Sequence, residues 1–412
     1  MPVLNPVTAE KRLNEHLVKR PPTEGYLWMK DDTSKRRIVQ ITITENCNLN
    51  CIYCYEKQKD LHCLPFDELK KIISNEFAKA DQMTEYQSVE FDFHGGEVGL
   101  FFDRIIEICE WMWSQKWNKP YICFATTNGT LIHGESQTWL WKNRHRFKIG
   151  LSLDGTPQMH NMNRSNSFDS IDLKFFRECF PDQHCKMTIS PLSIHYLADG
   201  IKYIHSQGFD FSANIAYGMT WDEKLYSVYR EQLKLVVDFY LENPEIEPIN
   251  LVSRGIGQIG LRAMRPENSI PKKWCGSGSN MICYAPDGNT YPCQAFMPST
   301  DVKDGTCVIQ KIDFHDDAAF RDPQCKNCVL EGFCPNCCAH NYMANGNIWE
   351  RPKDLCKFRK IEAVAAALLL GKMVLTPEKY IFTRKKSQSE LLMIAKGALT
   401  VQNELADEIE NY

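Results

Sequence analysis

The stretch Cys47-Asn48-Leu49-Asn50-Cys51-Ile52-Tyr53-Cys54 places three thiols within eight residues, separated by three residues and then by two. That spacing lets one short loop aim three thiolates at a common point, as an iron–sulfur cube requires. A cube has four irons, so three cysteines leave one iron without a protein ligand. An open iron suits chemistry better than plain electron transfer, because a small molecule can chelate it. The preceding segment, Arg37-Ile38-Val39-Gln40-Ile41-Thr42-Ile43-Thr44, alternates and is rich in β-branched residues, so it reads as a strand. The thiol loop therefore sits at the C-terminal end of a strand, where α/β barrels place their sites. A zinc loop or unrelated thiols are the competing reading.

The chain has 412 residues, enough for one large domain and a smaller one. A hydrophobic share of 43% with 24% charged residues gives an ordinary globular core. The net charge of −4 points to neither nucleic acid nor an anionic membrane surface. Met1 to Glu10 holds no apolar signal segment, and the apolar run Ala363 to Leu370 is too short to span a bilayer. The 18 cysteines fall largely in short-spaced groups, which in a cytoplasmic chain read as metal-binding rather than disulfide-forming. Exposed clusters would also make the protein oxygen-sensitive.

Residues 1–37 form a polar lead-in, read as a helix plus an extended segment and too short for a separate winged-helix peptide-binding domain. From Ile38 short strands alternate with helices. The strands are Ile38–Thr44, Val89–His94, Tyr121–Thr127, Lys148–Asp154, Lys186–Pro191 and Phe209–Tyr217. Between them lie the helices Phe66–Ala80, Phe101–Trp117, Ser136–Arg144, Ser170–Cys179 and Tyr196–Gln207, with Asp222–Glu242 after the last strand. This repetition predicts a parallel α/β sheet over residues 38–243. Pro244, Pro248 and a loop-like Arg254–Pro271 make residues 244–274 a linker. Residues 275–356 are rich in Cys, Gly, Asn and Pro. Residues 357–412 read as helical and end acidic at Glu404–Glu410.

The CxxxCxxC loop, with Tyr53 before its last cysteine and a strand before it, resembles the radical S-adenosylmethionine (SAM) superfamily. The resemblance implies a partial (β/α)6 barrel whose open iron binds the amino and carboxylate groups of SAM. One electron from the reduced cluster then splits the sulfonium, and the 5′-deoxyadenosyl radical takes a hydrogen atom from substrate. Strand-end features extend the match. The second strand ends in His94-Gly95-Gly96-Glu97, where glycines permit close backbone approach and a carboxylate can accept from an ammonium group. In the family this GGE segment holds the SAM amino group; the proline that usually follows is Val98 here. The third strand ends in Thr127-Asn128-Gly129, which can also be a plain turn. The fourth ends in Ser152-Leu153-Asp154-Gly155, followed by His160 and Arg164. This resembles the SLDG…H…R segment of peptide-modifying members, where Ser and Arg lie near the SAM carboxylate and ribose; an Arg fork can bind both carboxylate oxygens. The implied SAM-binding set is Tyr53 (near the adenine), Gly95, Gly96, Glu97, Asn128, Ser152 and Arg164. His94 reads as structural, and Asp154 as either a substrate contact or a solvent-facing turn residue.

Downstream, Cys275-x12-Gly288-x4-Cys293, Cys325-x2-Cys328-x5-Cys334-x3-Cys338 and Cys356 resemble the SPASM extension of radical SAM maturases. The resemblance implies two auxiliary [4Fe–4S] clusters and so three in all. Cys275, Cys293 and Cys338 would ligate the first. Its fourth position would be filled by Cys283, by Cys307 or by a substrate thiol, or left open. Cys325, Cys328, Cys334 and Cys356 would ligate the second. Cys337 adjoins Cys338 and can replace it. CxxC pairs also suit zinc. Cys63, Cys109, Cys123, Cys179 and Cys185 read as packing.

The implied activity is a cytoplasmic radical SAM/SPASM oxidoreductase that modifies a peptide or protein side chain, as in ribosomal peptide maturation. Thioether, carbon–carbon and carbon–oxygen cross-links all fit. A peptide or protein substrate and an external one-electron donor such as flavodoxin or ferredoxin are implied partners, and a separate leader-peptide-binding protein fits as well. The alternatives are a formylglycine-forming, sulfatase-maturase-like dehydrogenase and a non-enzymatic iron–sulfur or zinc protein. In sulfatase maturases an Asp follows the Tyr-Pro-Cys and acts as base. Here the stretch is Tyr291-Pro292-Cys293-Gln294, and an uncharged amide cannot accept a proton near neutral pH. Asp287 or Asp301 could stand in.

Overall fold

The computed structural model describes residues 35–59, 62–265, 273–298, 300 and 311–410. Residues 1–34 of the expected lead-in, Cys307 and Asp301 lie outside them. Strand β1 (Arg36–Thr44) is followed by α1 (Phe66–Gln82), β2 (Ser88–Gly95), α2 (Phe102–Ser114), β3 (Tyr121–Thr127), α3 (Glu135–Asn143) and β4 (Phe147–Leu151). Then come α4 (Pro157–Asn163), α5 (Leu173–Cys179), β5 (Cys185–Ile189), α6 (Leu197–Ser206), β6 (Phe211–Ile215) and α7 (Lys224–Glu242). This is the strand–helix alternation read from the sequence. Helix α2 stops short of the expected Trp117 because that indole folds back and donates to the carbonyl of Met112 at 2.9 Å, closing the helix end. The short α4 was not expected, although its start is legible: Thr156 accepts from the Met159 N–H and Pro157 opens the first turn.

Strands β1 to β4 pair in parallel and in chain order. Strands β5 and β6 form a parallel pair of their own. A single bridge, Ser152 to Lys186, ties it to the end of β4, with the Leu153 N–H donating to the Lys186 carbonyl at 2.9 Å. Alternation divides the two faces. Val39, Ile41, Phe91, Phe93, Ala125 and Met187 are buried in the main core with the helices. The opposite face carries Gln40, Thr42, Glu90, Asp92, His94, Thr126 and Lys186. Gln40 pairs with Asp92 and Thr42 with His94 across β1 and β2, and Lys186 donates to Thr126 at 3.1 Å.

The Cys-rich region contributes to the same sheet. Strand β7 (Met281–Tyr284) pairs in parallel with the free side of β1, and β8 (Thr290–Tyr291) pairs antiparallel with β7. Further on are α9 (Cys338–Asn345), α10 (Lys353–Met373), α11 (Ile381–Arg384), α12 (Gln388–Glu404) and α13 (Ala406–Glu410). Helix α10 is buried on most of its surface; its Phe358 packs against Trp221, Tyr226 and Tyr229 of the preceding domain.

The stretch expected to be a loop, Arg254–Pro271, instead contains helix α8 (Ile256–Met264). Gly255, Gly257 and Gly260 gave it the look of a loop, yet a glycine face is what its partner requires. A Cβ on Gly260 would lie 1.8 Å from the Met393 carbonyl oxygen of α12, and one on Gly397 would lie 1.8 Å from that of Ile256. The two backbones touch because neither residue has a side chain. At Gly257 an added Cβ would meet only Ile394 Cγ1, at 3.7 Å. We expect Gly260→Ala and Gly397→Ala each to destabilise the protein by about 1–3 kcal/mol or more through overpacking, although alanine favours helix by about 1 kcal/mol. Gly257→Ala should be neutral or stabilising. Urea unfolding midpoints of the three variants check this.

Candidate functional site

The loop Cys47–Cys54 is fastened to the ends of three other strands. From β2, the Gly96 N–H donates to Thr44 O at 3.0 Å and the Glu97 N–H to Asn46 O at 2.9 Å. A Cβ on Gly96 would lie 2.4 Å from Asn46 O, and one on Gly95, whose φ is +155°, would lie 2.4 Å from Thr44 O. The glycines thus let β2 touch the backbone that leads into the thiol loop. From β3, Asn128 Nδ2 donates to Asn48 Oδ1 at 3.0 Å, and Asn48 Nδ2 donates to Thr130 Oγ1 at 2.8 Å. From beyond β4, Asn163 O accepts from the Ile52 N–H at 3.0 Å, and Ser165 Oγ accepts from the Asn50 N–H at 2.9 Å. Ser165 and its neighbour Asn166 take φ of 54° and 53°, a conformation that costs L-residues about 1–2 kcal/mol.

Glu97 is buried, and its carboxylate accepts from Gly99 N (2.8 Å), Thr127 Oγ1 (2.5 Å) and Asn128 N (2.7 Å). Burial raises its pKa against the opposing pull of these donors. A carboxylate has about four acceptor positions, so one is left for a ligand. Asn128 is both a turn residue and a site residue: its Oδ1 accepts from Thr130 N and Oγ1 at 3.0 and 2.7 Å, and its amide holds Asn48.

Asp154 is neither at the solvent nor free for substrate; it is fully buried. Oδ2 accepts from the Tyr53 hydroxyl, from Asn163 Nδ2 at 3.1 Å and from Arg164 Nε at 3.0 Å, and Oδ1 accepts from Thr188 N at 2.9 Å. Arg164 also lies over the Tyr53 ring, 5.4 Å from its centroid. Burial opposes the guanidinium charge, but Asp154, Tyr53 and Cys51 together outweigh it and raise the pKa. Arg164 is close enough to Cys51 to favour that thiolate. Ser152, at the end of β4, contributes the bridge to β5. His160 is a structural residue whose Nδ1 accepts from Asp154 N at 3.3 Å.

The polar face of the sheet holds Asp92 and Gln40, which the sequence reading did not single out, beside His94 and Gln294, which it did. Asp92 Oδ1, His94 Nδ1 and Gln294 Oε1 are buried without hydrogen-bond partners among the described residues. Gln40 links Asp92 and Gln294: its Nε2 donates to Asp92 Oδ2 at 3.3 Å and its Oε1 accepts from Gln294 N at 3.3 Å. Burial pushes Asp92 up to about 6 and His94 down to about 4, so the imidazole is neutral. Burial also pushes Glu56, just past the thiol loop, up to about 7. Glu90-x-Asp92-x-His94 in an otherwise apolar strand was the signal for this face.

The donor chemistry fits the implied clusters. Cys47, Cys51 and Cys54 are half-buried on one loop, and burial pushes Cys47 up to about 11, so metal loading must displace protons. Cys325, Cys328, Cys334 and Cys356 all line one cleft of about 480 Å³, part of it open to solvent. Cys275 and Cys338 line a neighbouring cleft of about 350 Å³. Their thiols share a hydrogen bond that lowers Cys275 to about 6 and raises Cys338. Cys293 is in electrostatic contact with Cys337 first and then Cys275, so both Cys337 and Cys338 adjoin the group. Cys283 stands apart: it is on β7, its thiol 3.6 Å from both Thr42 Oγ1 and Met297 Sδ. Among the described residues no three His, Cys, Asp or Glu side chains close on a point for a single metal ion. Cys109, Cys123, Cys179 and Cys185 are buried in the main core, and Cys63 packs against it. Asp287 is held in the β7–β8 turn, accepting from the Tyr291 hydroxyl at 2.6 Å and Asn289 N at 2.9 Å.

Replacing Asp154 by Asn would leave Arg164 as a buried, unpaired charge. We expect Asp154→Asn to lose about 3–5 kcal/mol of stability, measured by urea unfolding of the apoprotein, with Asn163→Ala costing less.

Comparison with known proteins returns a consistent set of relatives. No protein-family profile matches the chain. The cysteine-type anaerobic sulfatase-maturating enzyme of Clostridium novyi (strain NT) is 24% identical over 343 residues, covering 73% of this chain and 87% of the relative. The antilisterial bacteriocin subtilosin biosynthesis protein AlbA of Bacillus subtilis (strain 168) is 22% identical over 348 residues, covering 78% and 70%. Among solved structures, anSMEcpe with bound AdoMet superposes with a TM-score of 0.60 at 18% identity, over 80% of this chain and 96% of that one. Streptococcus suis SuiB bound to the precursor peptide SuiA gives 0.52 at 17% identity, over 86% and 82%. By sequence and by its mixed α/β fold, this chain resembles the radical SAM, SPASM-type maturases.

Proposed function

We propose that this chain is a radical SAM enzyme that modifies a side chain of a peptide or protein. Strands β1 to β6 would form the partial barrel, and residues 275–356 the SPASM region with two auxiliary clusters. The observation that carries this is the fastening of the Cys47–Cys54 loop and its lead-in by Gly96, Glu97 and Asn128, which the sequence reading named, and by Asn163 and Ser165, which it did not. Cys47, Cys51 and Cys54 would hold a cube with one open iron. Bound there, the reduced cube supplies the electron that cleaves SAM for hydrogen-atom abstraction. Glu97 has one acceptor position left for an ammonium group. The Arg164 guanidinium has its two terminal nitrogens available beyond the bond from Nε to Asp154, which suits a carboxylate. Ser152 and the remaining Asn128 amide proton are further polar contacts. Tyr53 is held by Asp154 and so presents its ring beside Arg164.

The polar face with Asp92, His94 and Gln40, joined to the Cys-rich region by the bond from Gln294 N to Gln40, would receive the target residue. Peptides are bound in structures of anSMEcpe (Cp18Cys peptide) and SuiB (SuiA), which supports a peptide as the substrate class here. The sulfatase-maturase relatives favour a second reading, formylglycine formation. Gln294 speaks against it. Its side-chain oxygen is buried and unpartnered, so an acceptor is present, but an amide cannot take a proton.

Anaerobic reconstitution should load about twelve irons per chain, from four per cube. A Cys47→Ala, Cys51→Ala, Cys54→Ala triple variant should keep about two-thirds of them and release no 5′-deoxyadenosine from SAM and dithionite. Retained SAM cleavage in that variant would sink the assignment. Incubating the reduced, unmodified enzyme with SAM and a sulfatase-type Cys or Ser peptide should yield no formylglycine by mass spectrometry. Formylglycine at a rate close to that of 5′-deoxyadenosine release would establish the second reading instead.

A further inference from the structure

The cleft lined by Cys325, Cys328, Cys334 and Cys356 is also lined by Arg351, Arg359 and Lys360. Glu331, a carboxylate on the same wall, is paired with Arg321 at 2.5 Å. Arg359 is buried, and its Nη1 donates to both oxygens of Glu362, at 2.7 and 2.8 Å. Among the described residues no hydrogen-bond partner reaches its buried Nη2 or the buried Nε of Arg351, although the Tyr217 hydroxyl of the same cleft lies near the Arg359 guanidinium. A buried guanidinium donor left unpaired is costly, and such groups are rare unless a bound group completes them. Both belong to side chains that face a cleft lined by thiols. Arg351 lines the second cleft as well, with Cys275, Cys338 and the shared Cys334, whereas Arg359 is in the lining of the first cleft and not of the second. Cys334 feels both guanidinium charges.

A cube held by four thiolates is anionic and becomes more so on reduction. Cations and N–H donors against its sulfurs therefore favour the reduced state and raise its reduction potential. We infer that Arg351 and Arg359 donate to the auxiliary clusters and raise their potentials, Arg351 acting on both and Arg359 on the Cys325–Cys356 cluster alone. The inference rests on the proposed cluster sites and adds a direction: the second auxiliary cluster is tuned to accept an electron. Arg351 stands between the two clefts, so a change there reaches both.

The test uses the full chain carrying Cys47→Ala, Cys51→Ala and Cys54→Ala, reconstituted anaerobically so that only auxiliary clusters remain. An EPR-monitored redox titration then reads their midpoint potentials. In this background, Arg359→Gln should move one midpoint to lower potential and leave the other in place. Arg351→Gln should lower both. Arg359→Lys keeps the charge without the fork and should show a smaller fall of the same single midpoint. Should Arg359→Gln fail to load iron, Arg359→Lys and Arg351→Gln decide the matter. Midpoints that stay in place or rise in these variants would overturn the inference. Absence of any cluster signal in the parent background would instead overturn the cluster sites on which it stands.

Discussion

One buried carboxylate ties the thiol loop, the segment after β4 and strand β5 together. Asp154 accepts from Tyr53 in the loop, from Asn163 and Arg164 beyond β4, and from the backbone of β5 at Thr188. Three segments thus converge on two oxygens. A carboxylate suits this role because it accepts several donors at once, and the Arg164 charge offsets the cost of burying it. Arg164, positioned in this way, stands beside Cys51 and over Tyr53. One group thus couples the loop, the cation next to it and the strand beyond it, alongside the bonds from β2, β3 and Ser165.

The sheet around this hub has two unlike faces. Its outer face is apolar and makes the main core with the helices. Its inner face carries carboxylates, amides, an imidazole and a lysine, several of them with unsatisfied atoms. An ordinary fold would not bury such groups for stability, since unpartnered polar atoms cost free energy. They make sense as the wall of a binding space. The Cys-rich region joins this space through β7, which extends the same sheet from the other side of β1 and brings Cys293 and Gln294 against Gln40.

Much of this was legible in the sequence. Periodicity placed all six strand–helix units, because apolar alternation follows directly from burial on one face of a strand. The named site residues Gly95, Gly96, Glu97, Asn128 and Arg164 do gather at the thiol loop. Their reasons differ in part from the expected ones: the two glycines make room for the chain's own backbone at Thr44 and Asn46. Asp154 looked like a turn residue because a four-residue motif carries no record of what packs over it. Helix α8 looked like a loop because its glycines are explained only by α12, more than a hundred residues later. Asp92 and Gln40 were overlooked because a polar residue in a strand reads as a solvated face until the sheet shows where that face points.

The sequence by itself determined the chemistry available: three thiols on one loop, seven more at SPASM spacing, and a parallel α/β frame to carry them. These follow from covalent spacing and residue type, which are local. The tertiary structure alone decided the arrangement. It showed that Cys325, Cys328, Cys334 and Cys356 share one cleft with two arginines, and that Cys283 lies on β7 against Thr42 and Met297, within electrostatic reach of Cys293. It also turned Asp154 into the hub of the loop. Such facts depend on which distant segments meet, and that is set by packing of the whole core rather than by any stretch of the chain.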